Sequence, residues 1–380
     1  MPTRAERGDP GRPLRILVVT NLFPSERHPS FGTFVAARVE ALRAAGADVE
    51  VVANRSPNIH EGVGGKYLRL ALAALRTGLV NLAGSRRFDI VEAHIAYPTG
   101  WIAWPVAILH RAPLVLFVHG ADVIEVARRN GPHRLASRAI FRLARQVVAN
   151  SRYTAGAVAA TFPRDAGKVI VRSPGIDLDL FRADGATDGP AAAVEPDGRD
   201  GVLFVGRVAE QKGIRVLIEA MRLLGPGGPA LTVIGGGPDL SDVERTAAAL
   251  DGRISVCGPR PPREVAAAMR RAAVLVVPSV RAEAFGLVAI EGMAAGALVV
   301  ATRCGGLAET VTDGVTGFVA EPGSSTDLAR ALSEAVAASG DAVRSRAIRE
   351  AAAACAADHD VRSIAIRSLA DDRTLLEART

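Results

Sequence analysis

Residues 278–296 read PSVRAEAFGLVAIEGMAAG, and the six residues before them, 272–277, read AAVLVV. An apolar run of that length predicts a strand covered on both faces, as in a parallel sheet. A short polar loop follows, then an apolar segment of helix-favouring composition over 287–295, so the stretch forms a strand, loop and helix unit. It carries Glu283 and, eight positions on, Glu291. A glutamate among Val288, Ala289, Ile290, Met293 and Ala294 is costly to bury without a partner, and a hydroxyl-rich ligand would be a suitable one. The helix start near Phe285 and Gly286 aims free backbone N–H groups and the positive dipole end beyond the strand, where phosphate is favoured. A lone glutamate is ordinarily a solvated surface residue. The pair gains meaning only from its neighbours.

The same alternation extends on both sides of this unit. In the second half, strands are predicted at 201–205, 230–234, 253–256, 273–277, 298–301 and near 317–320, with helices at about 211–224, 239–250 and 262–271 between them. In the first half, strands are predicted at 14–20, 48–53, 88–93, 114–118, 146–149 and 169–172. Helices fall around 34–45, 66–83, 99–110, within 121–145 and from about 152. Strand and helix in strict turn specify an α/β chain with open parallel sheets and right-handed crossovers. The 380 residues exceed one ordinary core, which points to about two domains.

The stretch ATDGPAAAVEPDGR between 184 and 200 has no periodicity and reads as an interdomain linker. The expected organisation is a leader over 1–12, a Rossmann-like domain over 13–182, a linker over 183–200, and a second Rossmann-like domain over 201–355. A helical segment over 356–380 would pack back on the first domain. Two doubly wound sheets in tandem imply a cleft onto which the carboxyl ends of both sheets face, the favoured ligand position in this architecture.

Composition narrows the function. Aromatic residues are 4% of the chain, which gives no hint of the stacking platforms used for nucleic acid. Cys257, Cys304 and Cys355 match no metal spacing or disulfide framework, and a reducing cytoplasm is the simplest setting. The leader MPTRAERGDPGR lacks the apolar core of a signal peptide. The most hydrophobic window, 101–118, is broken by His110, Arg111 and Pro113, so no transmembrane span is expected. The formal charge of +6 is uneven: residues 1–180 hold 24 Lys and Arg against 14 Asp and Glu, a local +10. A basic first half suits peripheral contact with an anionic surface such as the inner face of a membrane.

A dinucleotide dehydrogenase needs G-x-G-x-x-G directly after a strand. The first strand is followed instead by NLFPSERHPSFG, and Gly235-Gly236-Gly237-Pro238 lacks the third spaced glycine. What the second half does carry is Gly206-Arg207 at the end of its first strand and Lys212-Gly213 opening the next helix. Both cations thus fall at the carboxyl edge of the sheet, where they suit a pyrophosphate, Arg as a planar fork and Lys as a point charge. Gly235 and Gly236 supply a close-approach turn on the same edge, and Arg303-Cys304-Gly305-Gly306 another. The one D-x-D, Asp177-Leu178-Asp179, lies far in sequence from this cluster and is read as structural.

With these motifs in view the sequence resembles the retaining nucleotide-sugar glycosyltransferases of family 4, which have the GT-B fold. The resemblance rests on VGRVAEQKG (205–213), VIGGGPD (233–239), PSVRAEAFGLVAIEGMAAG (278–296) and VVATRCGGLAETVTDGVTGFV (299–319). It extends more weakly over NLFPS and FGTFV (21–35), VHGAD (118–122), ANSRYT (149–154) and SPGIDLDLF (173–181). The resemblance implies that the second domain binds a nucleotide-diphosphate sugar, with UDP ranked ahead of GDP, and that the first binds the acceptor. Arg207 and Lys212 would hold the diphosphate, Glu291 the ribose hydroxyls and Glu283 the transferred sugar. The backbone amides of Phe285, Gly286 and Leu287 would complete the phosphate cradle, and Gly206, Gly235 and Gly236 would line it. In the first domain His119 would stand beside the reacting sugar, Gly32 would let phosphate and acceptor approach the backbone, and Asp122 would meet a sugar or acceptor hydroxyl. Phe31-Gly32-Thr33 stands where many relatives have a Gly-Gly pair, and Leu298 where a proline is common.

The expected activity is metal-independent sugar transfer with retention by a front-face route, no cofactor being required. A nucleotide-sugar epimerase or hydrolase of the same fold, or a catalytically silent binding protein, are the rival readings. The acceptor is left open among a lipid-linked intermediate, a polysaccharide and a soluble small molecule.

Overall fold

The computed structural model describes residues 12–25, 31–54, 63–128, 131–182, 199–248 and 252–378. The first eleven residues of the expected leader and residues 183–198 of the expected linker lie outside the described residues.

The first compact unit comprises 1–175 together with 361–380, and the second 176–360. In the first, the strands are β1 (Arg15–Thr20), β2 (Asp48–Ala53), β3 (Ile90–His94), β4 (Leu114–Val118), β5 (Gln146–Ala149) and β6 (Val169–Val171). The helices between them are α1 (Thr33–Ala44), α2 (Val63–Ala83), α3 (Trp101–His110), α4 (Ala121–Arg128), α5 (Pro132–Leu143) and α6 (Arg152–Thr161). All strand pairs are parallel, in the order β2-β1-β3-β4-β5-β6. Every residue of β1, β3 and β4 is buried, Glu92 and His94 of β3 included, as in strands covered by helices on both faces.

The second unit opens with the short α7 (Leu178–Phe181) and continues through β7 (Asp200–Val205), α8 (Ile214–Leu223), β8 (Leu231–Ile234), α9 (Leu240–Ala248), β9 (Ile254–Gly258) and α10 (Pro262–Arg271). It then runs β10 (Ala272–Val277), α11 (Leu287–Ala294), β11 (Leu298–Thr302), β12 (Phe318–Ala320), α12 (Ser325–Gly340) and α13 (Ala342–Ala357). The parallel order is β12-β11-β10-β7-β8-β9. The order in which strands are added reverses between β7 and β10, which pair in parallel, a switch point where the loops at the strand carboxyl ends splay apart and leave room for a ligand. The α8 residues Ile214, Leu217, Ile218 and Met221, spaced i, i+3, i+4 and i+7, are buried and pack beside Leu328 and Leu332 of α12. The side chain of Ser324 caps α12 by accepting from the Asp327 amide, and that of Asp341 caps α13 by accepting from Val343 and Arg344.

Two boundaries differ from the sequence reading, which placed the domain border at 182 and the returning segment from 356. Ile176, Leu178 and Phe181 pack into the core of the second unit beside Met269, Ile290 and Met293. The returning element is α14 (Val361–Glu377), whose Val361 and Ala365 join the first unit's core of Ile16, Val35 and Val39. Apolar contacts, invisible to composition, set both borders.

Candidate active site

The carboxyl edge of the second sheet at its switch point brings together two loops that each follow a central strand. After β7, Gly213 adopts φ 72°, and a Cβ there would lie 1.8 Å from the Pro278 carbonyl oxygen, so only glycine lets the two loops touch. The Gln211 carbonyl accepts from the amide of Val280 at 3.1 Å, tying the loop before α8 to the loop after β10. This registry sets Lys212 against Glu283: Lys212 Nζ donates to Glu283 Oε1 at 2.6 Å. The same Oε1 accepts from the hydroxyl of Ser279, a buried residue whose carbonyl in turn accepts from Thr302 Oγ1 at 2.6 Å. Backbone fixes Glu283 as well, since its carbonyl accepts from the Gly306 amide at 2.7 Å. Gly305, at φ 60°, permits that approach, because a Cβ would meet the Glu283 oxygen at 2.4 Å.

The glycine turn after β8 belongs to the same edge. Gly235 lies against Gly206, where a Cβ would come within 1.8 Å of the Gly206 oxygen, and the Gly236 carbonyl accepts from the Val208 amide at 3.0 Å. Gly206, Gly235 and Gly236 thus form one folded-together rim. Arg207, between them in sequence, is exposed and makes no hydrogen bond or ion pair to any described residue.

Gly286, at φ 95°, caps α11 with no side-chain bond to the first turn, whose Ala289 amide donates to the Gly286 carbonyl at 3.0 Å; Phe285 is buried and Leu287 opens the helix. Glu291 sits in the second turn of α11, and side chains on a helix lean back toward its N-terminus, which is the rim side. It is partly buried and has no partner among the described residues. Burial with nothing to stabilise its charge pushes its carboxyl up to about 7.

The remaining expected residues lie in the first unit. His119 follows β4, and Asp122 accepts from the His119 amide at 2.9 Å and from the Ala96 amide at 3.2 Å, which binds the loops after β3 and β4 to each other. Burial raises Asp122 to about 6, against the lowering effect of those amides. Gly32, at φ 69°, caps α1 and presses on the backbone of Leu22 and Phe23, where a Cβ would come within 2.4 Å of the Leu22 carbonyl carbon. Its close approach is therefore to its own chain.

Sequence reasoning missed what stands behind His119. His119 Nε2 lies 3.2 Å from His94 Nδ1, with the rings stacked, and His94 Nε2 lies 3.7 Å from the Glu92 carboxylate. Glu92 is in turn held by Arg38 at 2.6 and 3.3 Å. Burial would raise the Glu92 carboxyl, but the charge of Arg38 together with His94 holds it at about 2. At 3.7 Å the Glu92 carboxylate attracts a proton on His94 Nε2 without a hydrogen bond, and in that tautomer His94 Nδ1 accepts from His119 Nε2. Burial first, then His94 itself, pushes His119 well below the usual imidazole range, so it stays neutral at physiological pH. Arg38 Nη1 donates to Ser368 Oγ of α14 at 3.0 Å, and Asp372 of the same helix is raised to about 7 by burial and then by Glu92. A pocket beside this chain is lined by Phe34, His94, His119, Asn150, Arg172 and Ser173, and Asn150 Oδ1 and Arg172 Nη1 are buried there without hydrogen-bond partners. Asn150 and Ser173 lie inside the ANSRYT and SPGID motifs, the one sequence signal that marked them; Ser279 likewise lies inside the 278–296 stretch.

The family profile described as Glycosyltransferase Family 4 matches residues 32–180, and that described as Glycosyl transferases group 1 matches residues 199–338. A D-inositol 3-phosphate glycosyltransferase of Streptomyces scabiei is 34% identical over 298 residues, covering 72% of this chain and 67% of its own. Another of that name, from Salinispora arenicola, is 31% identical over 328 residues, covering 77% and 73%. The chain thus spans about two thirds to three quarters of the length of these relatives. Among solved structures, sucrose-phosphate synthase from Thermosynechococcus elongatus has a TM-score of 0.76 at 22% identity, covering 97% of this chain and all of its own. A glycosyltransferase from Rickettsia africae has a TM-score of 0.75 at 19%, with the same coverage. Anabaena HepE, solved with UDP and glucose, has a TM-score of 0.70 at 20%, covering 94% and 98%. Identities this low speak to fold alone, and the fold they share is GT-B. With family profiles on both units, relatives above 30% identity and that fold, the chain belongs to glycosyltransferase family 4.

Proposed function

We propose that this glycosyltransferase takes its sugar from a nucleoside diphosphate donor, UDP ranking ahead of GDP, and transfers it with retention to an acceptor hydroxyl without a metal ion. The donor is held by the second unit. Arg207 and Lys212 neutralise the diphosphate, aided by the backbone amides of Phe285, Gly286 and Leu287 at the start of α11. Glu291 accepts from the ribose hydroxyls and Glu283 from the sugar. The observation that carries this reading is the unpartnered Glu291, raised to about 7, at the same sheet edge as Arg207, which has no partner among the described residues. A ligand offering hydroxyls beside phosphates answers both. HepE, of this fold, was solved with UDP and with UDP-glucose, which makes UDP the first nucleotide to test.

The acceptor is held by the first unit, with His119 beside the reacting centre and Asp122, Gly32 and the pocket of Asn150 and Arg172 shaping its surroundings. In the reaction the bond from the anomeric carbon to the diphosphate oxygen breaks and one to the acceptor oxygen forms on the same face. The acceptor proton passes to the departing phosphate. Arg207 and Lys212 stabilise the charge that gathers there, and the protein's part is positioning and preorganised charge. The relatives named inositol-phosphate glycosyltransferases favour transfer over an epimerase or hydrolase and are consistent with a hexosyl group and a small hydroxylated acceptor. Thermal-shift titration with UDP, GDP and ADP tests the base, since a ligand that binds only the native state raises its melting temperature. Stabilisation by UDP that is lost on Arg207→Ala with Lys212→Ala is the expected result. No stabilisation by any nucleoside diphosphate overturns the reading.

A further inference from the structure

We propose that the face of the first unit formed by α2 and α3 docks on an anionic lipid bilayer. An ordinary surface helix buries one apolar stripe and presents polar residues opposite it. The helix α2 departs from this. Its buried stripe is Leu70, Ala74, Gly78 and Asn81, while Leu68, Leu72, Leu75 and Leu79, spaced i, i+4, i+7 and i+11, form a second apolar stripe. Those four leucines are 61%, 59%, 43% and 50% exposed, and Val80 beside them 62%. The neighbouring α3 adds Ile108, 55% exposed, and both tryptophans of the chain, Trp101 and Trp104, edge to face at 5.7 Å. An open apolar groove runs between the two helices, walled by Tyr67, Leu75, Tyr97, Trp101, Ile102 and Pro105.

Charge selects the occupant. Residues 63–83 and 101–111, with 132–143 of the adjoining α5, carry seven Lys or Arg, Arg69 and Arg76 among them, and no Asp or Glu. Trp101 Nε1 donates to the Ala136 carbonyl, joining α3 to α5. A second copy of this chain seated on the same face would set these cations against one another. An anionic headgroup layer complements them, with leucines and tryptophans entering the acyl boundary as in interfacial amphipathic helices. Among the described residues no helix is long and apolar enough to cross a membrane, so the contact is peripheral. Tyr97 of the groove follows Ala96, whose amide holds Asp122, so the docking face borders the proposed acceptor residues.

The proposal stands on the first unit alone and holds whether or not the donor assignment does. Its test is sedimentation of the full chain with vesicles of phosphatidylglycerol and phosphatidylcholine, against pure phosphatidylcholine. Tryptophan emission is followed in parallel, since both tryptophans lie on the face. Expected are binding to the anionic vesicles only, a blue shift of emission, loss of binding on adding salt, and at least a tenfold weaker partition for Leu72→Glu with Leu79→Glu. Arg69→Glu with Arg76→Glu, which leaves the apolar stripe intact, should weaken binding similarly. UDP thermal shifts on the same variants keep a failed bilayer contact distinct from a failed donor site. No vesicle binding by the wild type, equal binding by the variants, or a wild-type dimer that the leucine variant disperses would overturn the proposal.

Discussion

Both units build a six-stranded parallel sheet, yet they treat charge near its carboxyl edge in opposite ways. In the first, Glu92 is fully buried and closed by Arg38, whose remaining nitrogen donates to Ser368, so that acid and cation answer one another inside the fold. In the second, Arg207 and Glu291 have no partner among the described residues, and Lys212 is shared with Glu283 on a part-exposed surface. Buried charge without a partner is costly, so a fold keeps it either closed, as scaffold, or open for a ligand that supplies the partner. The strand orders differ to match. The second unit sets two strands beyond β7 before turning back, and the first only β2 beyond β1, so the switch point that gathers ligand loops lies deeper in the second sheet.

The contrast breaks most readily at the open cations. Arg207→Ala and Lys212→Ala should each lower transfer by about 100-fold to 1000-fold, the order expected for losing one preorganised donor to developing charge. Steady-state assays with UDP-sugar and nucleotide titration would measure it, and unchanged donor affinity in both variants would contradict the assignment.

The next largest effect belongs to the closed charge. Arg38→Met leaves Glu92 and Asp372 buried without their cation and should cost about 3–5 kcal/mol of stability, read by denaturant unfolding. Donor affinity should hold in whatever fraction stays folded.

Glu291 sharpens the comparison through pH. Its carboxyl, at about 7 in the folded protein against an ordinary 4.5, binds its proton more tightly folded than unfolded. Stability without ligand should therefore fall as pH rises between those values, by roughly 3 kcal/mol at most. Glu291→Gln should flatten that slope while weakening donor binding by about tenfold, the order of one lost hydrogen bond to a charged group. A slope identical in the variant would show that the acid is solvated.

The smallest effect is on the acceptor side. His94→Phe should keep the stacking on Phe117 but remove the acceptor that orients His119. Turnover is expected to drop by about tenfold with donor affinity unchanged, as for other tautomer-setting partners. A change in donor affinity and not in kcat would place His94 outside this role.

Much of this was legible in the chain itself. The strand β4 and the helix α10 fall on the residues that periodicity assigns them, because a strand buried on both faces is an apolar run and a crossover helix must carry a 3.6-residue stripe. The rim glycines, both cations and both glutamates were equally visible, since each sits in a contiguous motif that follows a strand. Hidden were Ser279 under Glu283 and the file from Asp372 through Arg38 and Glu92 to His94. Arg38 and its partner Ser368 alone are 330 positions apart, and local periodicity carries no record of which distant side chain will share a pocket.

The amino-acid order alone therefore determined the fold class, the family and the residues proposed to meet a diphosphate and a ribose. Only tertiary packing decided which charges are closed and which are left open, that α14 belongs to the first unit, and that α2 turns a row of leucines to solvent. The reason is physical: propensity and pattern act over a few residues, whereas burial, desolvation and charge pairing depend on neighbours that the chain brings together only by folding.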